Sequence, residues 1–167
     1  MKNKKNTTTF MTVAIGMLVL AMSSIATASD AKTYPGANCD SLYYTNSELY
    51  RSSGRIINMD DDFDTHVVCP IIRDNTGSSY TVDITVYVED LSSSENVECR
   101  LDRFSADGSS HDYSSWRKSS GTGDATLTFS NQTVRWSNGY MYVLCKLPNK
   151  TNPLFGSSVK NIVVNEK

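Results

Sequence analysis

The sequence predicts an all-β fold: an antiparallel β-sandwich of about seven to nine strands, stapled by disulfides, with a closed β-barrel as the alternative. Three observations carry the prediction. Apolar and polar residues alternate with a period of two in several segments. Turn residues separate those segments, and none has convincing helical spacing. Four cysteines, Cys39, Cys69, Cys99 and Cys145, are spread along a chain that opens with an export signal.

That opening comes first. Lys2, Lys4 and Lys5 precede an apolar stretch from Phe10 to Met22, and Ala26-Thr27-Ala28 offers a small-residue cleavage site. The apolar stretch is short for a bilayer span, which needs about 20 residues. Residues 1–28 are therefore expected to be a cleavable signal, leaving no membrane span and placing the product in the periplasm or outside the cell. Removing 28 of 167 residues leaves 139, enough for one domain with its own core. The signal carries three lysines and no acid, so 16 basic residues fall to 13 against 18 acidic ones, a balance of −5. An acidic domain is a poor partner for a phosphate backbone, so nucleic acid is not expected.

Residues 29–54 read as an irregular lead-in with Pro35, Gly36 and Gly54, its tyrosines Tyr43, Tyr44 and Tyr50 packing it onto the domain. The domain proper is expected over residues 55–167. Val67 to Ile72 is a short apolar run containing Pro70, which cannot donate to a ladder and so belongs at an edge or a bulge. Tyr80 to Glu89 is the clearest strand, with Val82, Ile84, Val86 and Val88 on one face. Val97, Cys99 and Leu101 share a face of the next strand; Glu98, Arg100 and Asp102 share the other. Ala125, Leu127 and Phe129 mark a further inward set, and Val159 to Asn165 a last strand.

Asn138-Gly139 reads as a two-residue hairpin turn, because both central positions of that turn need positive φ. Pairing around it sets Trp136 opposite Met141 and Val134 opposite Val143. It turns Trp136 and Cys145 inward, and Tyr140, Tyr142 and Arg135 outward. Four cysteines allow three connectivities. Two inward cysteines on neighbouring or facing strands favour Cys99–Cys145, and Cys39–Cys69 follows by elimination.

No pattern names a reaction. Asp60, Asp62 and Asp64 have the first three spacings of a calcium loop, but Thr65 stands where that loop needs glycine and Ile71 where it needs glutamate. His66 and His111 are the two near-neutral bases, without a Gly-x-Ser-x-Gly elbow in the chain. The outward Tyr140 and Tyr142, with Arg135, form the one surface feature suited to stacking on a sugar or anchoring a protein.

The segments Tyr34-Pro35-Gly36-Ala37-Asn38-Cys39, Val68-Cys69-Pro70-Ile71-Ile72-Arg73-Asp74 and Tyr142-Val143-Leu144-Cys145-Lys146-Leu147-Pro148 together resemble a group of exported bacterial proteins. The resemblance implies a small β-rich domain and supplies no catalytic or binding residue. The sequence thus leads to an exported, non-enzymatic binding domain without a cofactor, whose partner is a glycan or an envelope protein. The alternatives are a secreted hydrolase using a histidine, and an envelope inhibitor or assembly subunit.

Overall fold

The structure, a computed structural model, describes residues 31–43 and 48–167. The expected signal over 1–28 and the side chain of Tyr44 lie outside the described residues. Within them the chain forms twelve strands: β1 (Ala31–Pro35), β2 (Asp40–Ser41), β3 (Leu49–Ser52), β4 (Arg55–Asn58), β5 (Thr65–Ile71), β6 (Tyr80–Asp90), β7 (Glu98–Phe104), β8 (His111–Tyr113), β9 (Arg117–Lys118), β10 (Gly123–Val134), β11 (Tyr140–Leu147) and β12 (Ser158–Glu166). The count exceeds the expected seven to nine because several strands are only two to four residues long. Periodicity cannot register so short a segment.

The strands form two antiparallel sheets. One has the order β10-β6-β12-β4-β3, with β1 also paired to β12; the other has the order β2-β5-β11-β7-β8, with β9 also paired to β7. Each sheet has two ends, so the architecture is a sandwich and not a closed barrel. The segment expected as an irregular lead-in supplies β1, β2 and β3. Two of the three tyrosines expected to pack it down do not: Tyr43 and Tyr50 are both exposed. Tyr34 does this work instead, lying partly buried against the core with its hydroxyl donating to the Ile72 carbonyl at 2.7 Å.

The inner faces follow the alternation. Val82, Ile84, Val86 and Val88 of β6 face Val67, Cys69 and Ile71 of β5, Leu101 of β7, and Met141, Val143 and Leu147 of β11 in one apolar core. Each such side chain contributes roughly 1.5–3 kcal/mol by leaving water. Pro70 sits where the sequence reading wanted it, since β2 covers only Val67 and Val68 of β5. In β10 a bulge between Phe129 and Gln132, with Asn131 at φ 51°, shifts the parity. Leu127 and Phe129 therefore point inward at odd positions, and Val134 does so at an even one. Cys39 is bonded to Cys69, and Cys99 to Cys145, its direct cross-strand neighbour. Disulfides belong to oxidising compartments outside the cytosol.

The Asn138-Gly139 hairpin is corrected by the topology. β10 and β11 lie in different sheets, so residues 135–139 form a corner that carries the chain across the sandwich. Val134 pairs with Tyr80, and Met141 pairs with Ile71 and Arg103. Asn138 takes φ 53°, while Gly139 is needed for a close approach: a Cβ there would lie 2.2 Å from the Phe104 carbonyl oxygen. Trp136 is accordingly half-exposed and outside the core. Both sheets face one interior, so inward parity is the same for a hairpin and for a corner.

Two buried polar side chains tie the sheets. Asp90 ends β6 fully buried and accepts from Ser92 N (3.0 Å), Val97 N (3.1 Å), Ser119 Oγ (2.5 Å) and Ser157 Oγ (3.3 Å). Asn58 ends β4 and donates to the carbonyls of Phe63 (3.0 Å) and Leu147 (3.1 Å), while its oxygen accepts from Asp60 N (3.1 Å). Satisfied in this way, groups that would otherwise be costly to bury join the β4 and β6 ends of one sheet to β7, β9 and β11 of the other.

Candidate binding face

The outer face of the second sheet gathers rings from three adjacent strands. On β11, inward Met141, Val143 and Cys145 leave Tyr140 and Tyr142 pointing out. On β7, inward Cys99 and Leu101 leave Arg100, Asp102 and Phe104 pointing out. The register sets Tyr140 opposite Phe104 and Phe104 opposite His111 on β8. The three rings form a ladder across the strands. Tyr140 and Phe104 are parallel within 4° with centroids 4.9 Å apart, the spacing of neighbouring strands. His111 stacks on Phe104 at 5.8 Å, Tyr113 on His111 at 6.3 Å, and Tyr142 on Phe104 at 5.4 Å. Parallel rings this close are offset-stacked, so they stand on the sheet instead of lying flat on it.

Beside the ladder lies a charge pair. Asp102 is only 4% exposed although it points outward. Arg100 Nε reaches its carboxylate at 2.8 Å and Arg100 Nη2 donates to it at 3.1 Å. The Tyr142 hydroxyl lies towards the same carboxylate. Burial, followed by the Asp102 charge, pushes the Tyr142 phenol above its ordinary value. The Arg100 guanidinium also lies over the rings of Tyr113 (5.0 Å) and Trp116 (4.9 Å). These contacts fix the orientation of Tyr142, Tyr113 and Trp116. The exposed part of the face is Tyr140 at 47%, Tyr113 at 59%, His111, Pro70 and Ile72.

Of the residues singled out in the sequence, Tyr140 and Tyr142 are on this face and Arg135 is not. Arg135 belongs to the corner, where its Nε lies 3.8 Å from Asp112. The aspartates are not gathered either. Asp60 Oδ1 caps its own turn by accepting from Asp62 N (2.9 Å) and Phe63 N (3.0 Å), whereas Asp64 binds Lys146 Nζ at 2.6 Å. Among the described residues no group of three or more His, Cys, Asp or Glu side chains is placed to hold a metal ion. His66 and His111 share the outer face but stand apart. His66 lies in the row of Lys146 and Glu98, His111 in the row of Phe104, six residues or roughly 20 Å further along β7. Burial, and then Lys146, holds the His66 imidazole below its usual value.

Sequence reading did not place Phe104, Tyr113 or Trp116 at a site, and it named His111 only as a near-neutral base and not as a stacking ring. Parity could have found Phe104, which shares the outward set of Arg100 and Asp102. The alternation His111-Asp112-Tyr113 could have placed two more rings on one side of β8. Their stacking depends on pairing between strands, which parity does not give.

No family model matches the chain, and no curated protein matches it. Solved structures of similar shape include the CBM36-1 domain of a multidomain xylanase from the hindgut metagenome of Trinervitermes trinervoides, with TM-score 0.49, 10% identity, and 81% of this chain and 96% of that one covered. A low-affinity xylan-binding module from Roseburia intestinalis gives TM-score 0.48 and 10% identity, over 83% and 96% of the two chains. The C-terminal CBM6 of a marine laminarinase from Zobellia galactanivorans gives TM-score 0.40 and 14% identity, over 81% and 99%. At these scores neither a ligand nor a site residue carries across to this chain.

Proposed function

We propose that this chain is an exported, non-catalytic domain that binds carbohydrate on the outer face of its second sheet. The observation that carries the reading is the ladder of Tyr140, Phe104 and His111, continued by Tyr113, in which Tyr140, His111 and Tyr113 are exposed and Phe104 is half-buried between them. A ring at the end of the ladder with a free face takes the C–H face of a sugar ring, while the polar tips of tyrosine and histidine suit its hydroxyls. The separation of the two histidines supports a binding role over hydrolysis, since acid–base catalysis needs its groups within hydrogen-bond reach of one reacting bond. Both disulfides and the N-terminal signal pattern support placement outside the cytosol; the reading covers the periplasm and the exterior equally.

The test is retention on immobilised polysaccharides and a glycan array, with the Tyr140→Ala, Tyr142→Ala double variant alongside. The expected result is retention of the unmodified protein and a loss of about tenfold or more in affinity for the variant, since removing central aromatic anchors costs at least roughly 1.4 kcal/mol. The absence of any retained glycan, or equal retention of the variant, overturns the reading.

A further inference from the structure

We propose that the free face of Tyr140 and the depression beside it form a subsite for one uncharged pyranose residue, with Asn138 and Thr76 as its hydrogen-bonding groups. This inference rests on the glycan-binding reading and narrows it. The ladder exposes mainly ring edges, because its rings cover one another's faces. Phe104 covers one face of Tyr140. On the other side the next strand has ended: Ile71 is the last residue of β5, and Ile72 beyond it is exposed. A depression of about 240 Å³ opens there, lined by Ile71, Arg73, Thr76, Asn138, Gly139 and Tyr140. Phe104 is not part of its lining, so the depression lies on the side of Tyr140 away from the ladder. It is smaller than the ~300–1,000 Å³ of sites that enclose drug-sized ligands, a size suited to one sugar ring.

The walls are held in place. Arg73 Nε donates to Tyr80 Oη at 2.6 Å, and its two terminal nitrogens donate to the carbonyls of Trp136 (3.3 Å), Gly139, Asn75 (2.9 Å) and Gly77 (3.1 Å). Asn138 N donates to the Thr76 carbonyl at 2.9 Å. The loop after β5 and the corner before β11 are thereby clamped together, which lowers the cost of ordering them around a ligand. The Thr76 hydroxyl and the Asn138 amide remain exposed, and among the described residues neither side chain is engaged in a hydrogen bond. A carboxamide both donates and accepts, which matches a pair of adjacent sugar hydroxyls.

The same geometry selects against an acidic sugar. All five N–H groups of Arg73 are spent on protein acceptors, so the one cation in the lining has no fork to offer a carboxylate. The other lining residues are uncharged.

The experiment is calorimetric titration with cellotriose, mannotriose and galactotriose as neutral probes and trigalacturonate as the acidic one. The variants are Asn138→Gly, which keeps the left-handed backbone at no steric cost, Thr76→Val, Tyr113→Ala at the far end of the ladder, and Tyr50→Ala. The expected result is binding of a neutral probe that Asn138→Gly and Thr76→Val each weaken by about two- to tenfold, the value of one net hydrogen bond. Tyr50→Ala, which removes an exposed tyrosine of β3 in the other sheet, serves as the control and should leave binding within about twofold. Neutral binding untouched by Asn138→Gly and Thr76→Val but lost in Tyr113→Ala overturns the subsite and leaves the glycan-binding reading standing. Preference for trigalacturonate overturns the subsite as well. Failure of every probe and every arrayed glycan overturns both.

Discussion

Replacing Asp90 tests how far this sandwich depends on one buried carboxylate. Each carboxylate oxygen takes one backbone N–H: Oδ1 that of Ser92 at 3.0 Å, Oδ2 that of Val97 at 3.1 Å. Val97 N has a second acceptor in Ser119 Oγ at 3.0 Å, and Ser119 Oγ can also donate to the Val97 carbonyl at 3.4 Å. For Ser92 N no second acceptor is seen among the described residues. Asp90→Ala therefore strands the Ser92 N–H in a buried site, at about 1–3 kcal/mol, and loses charge-assisted bonds worth about 1.5–3 kcal/mol each. Relief from burying the carboxylate offsets part of this, so the net destabilisation should be about 3–4 kcal/mol. Asp90→Asn can keep its oxygen towards Ser92 N and turn its amide nitrogen towards Ser119 Oγ, a hydroxyl able to accept, while the Val97 N–H, which an amide nitrogen cannot accept, keeps Ser119 Oγ as its acceptor. It should cost only about 1 kcal/mol. Urea unfolding at neutral pH reads both values. With a slope of about 1–3 kcal/mol/M, the alanine variant shifts the midpoint by one to a few molar and the asparagine variant by less than about 1 M. An alanine variant within 1 kcal/mol of the parent, or an asparagine variant as damaged as alanine, would refute this reading of the network.

Other outcomes follow from the same structure. The Asp107 carboxylate is held down to about 2, first by the Ser105 hydroxyl and then by the Ser109 N–H and hydroxyl. A lowered folded-state value means that its stabilising effect is present above the unfolded value near 4 and disappears as pH falls towards 2. An NMR titration should show its midpoint rising in Ser105→Ala, and an unchanged midpoint would contradict the assignment. Replacing Cys99 and Cys145 together by alanine opens a loop spanning 46 residues, which the chain-entropy relation values at about 4 kcal/mol. A chemical-denaturation loss under 1 kcal/mol would count against that origin.

Much of the architecture was legible because it is local. Strict alternation in Tyr80 to Glu89 places Val82, Ile84, Val86 and Val88 inside whatever strand pairs with it. The same parity turns Cys99 and Cys145 inward and Tyr140 and Tyr142 outward. These statements depend on the two-residue repeat of a pleated strand, which the chain carries in itself. Pairing partners are not local. The sequence could not tell that β10 and β11 part company at Asn138-Gly139, because a turn preference is satisfied equally by a hairpin and by a corner between sheets. That choice removed Trp136 from the core and Arg135 from the tyrosine face. It could not show β1, β2 and β3 in the lead-in either, since strands this short acquire their geometry from the edges they dock against.

By itself, then, the amino-acid order determined which side chains each long strand buries and which it presents. The tertiary structure decided which of the presented ones meet. Tyr140, Phe104 and His111 are distant in the chain and become a stack only because β11, β7 and β8 are neighbours in one sheet, which brings the Tyr140 and Phe104 ring centroids to 4.9 Å. The physical reason is that a side chain's face is fixed by its own backbone, whereas its neighbours are fixed by hydrogen bonds between strands far apart in sequence.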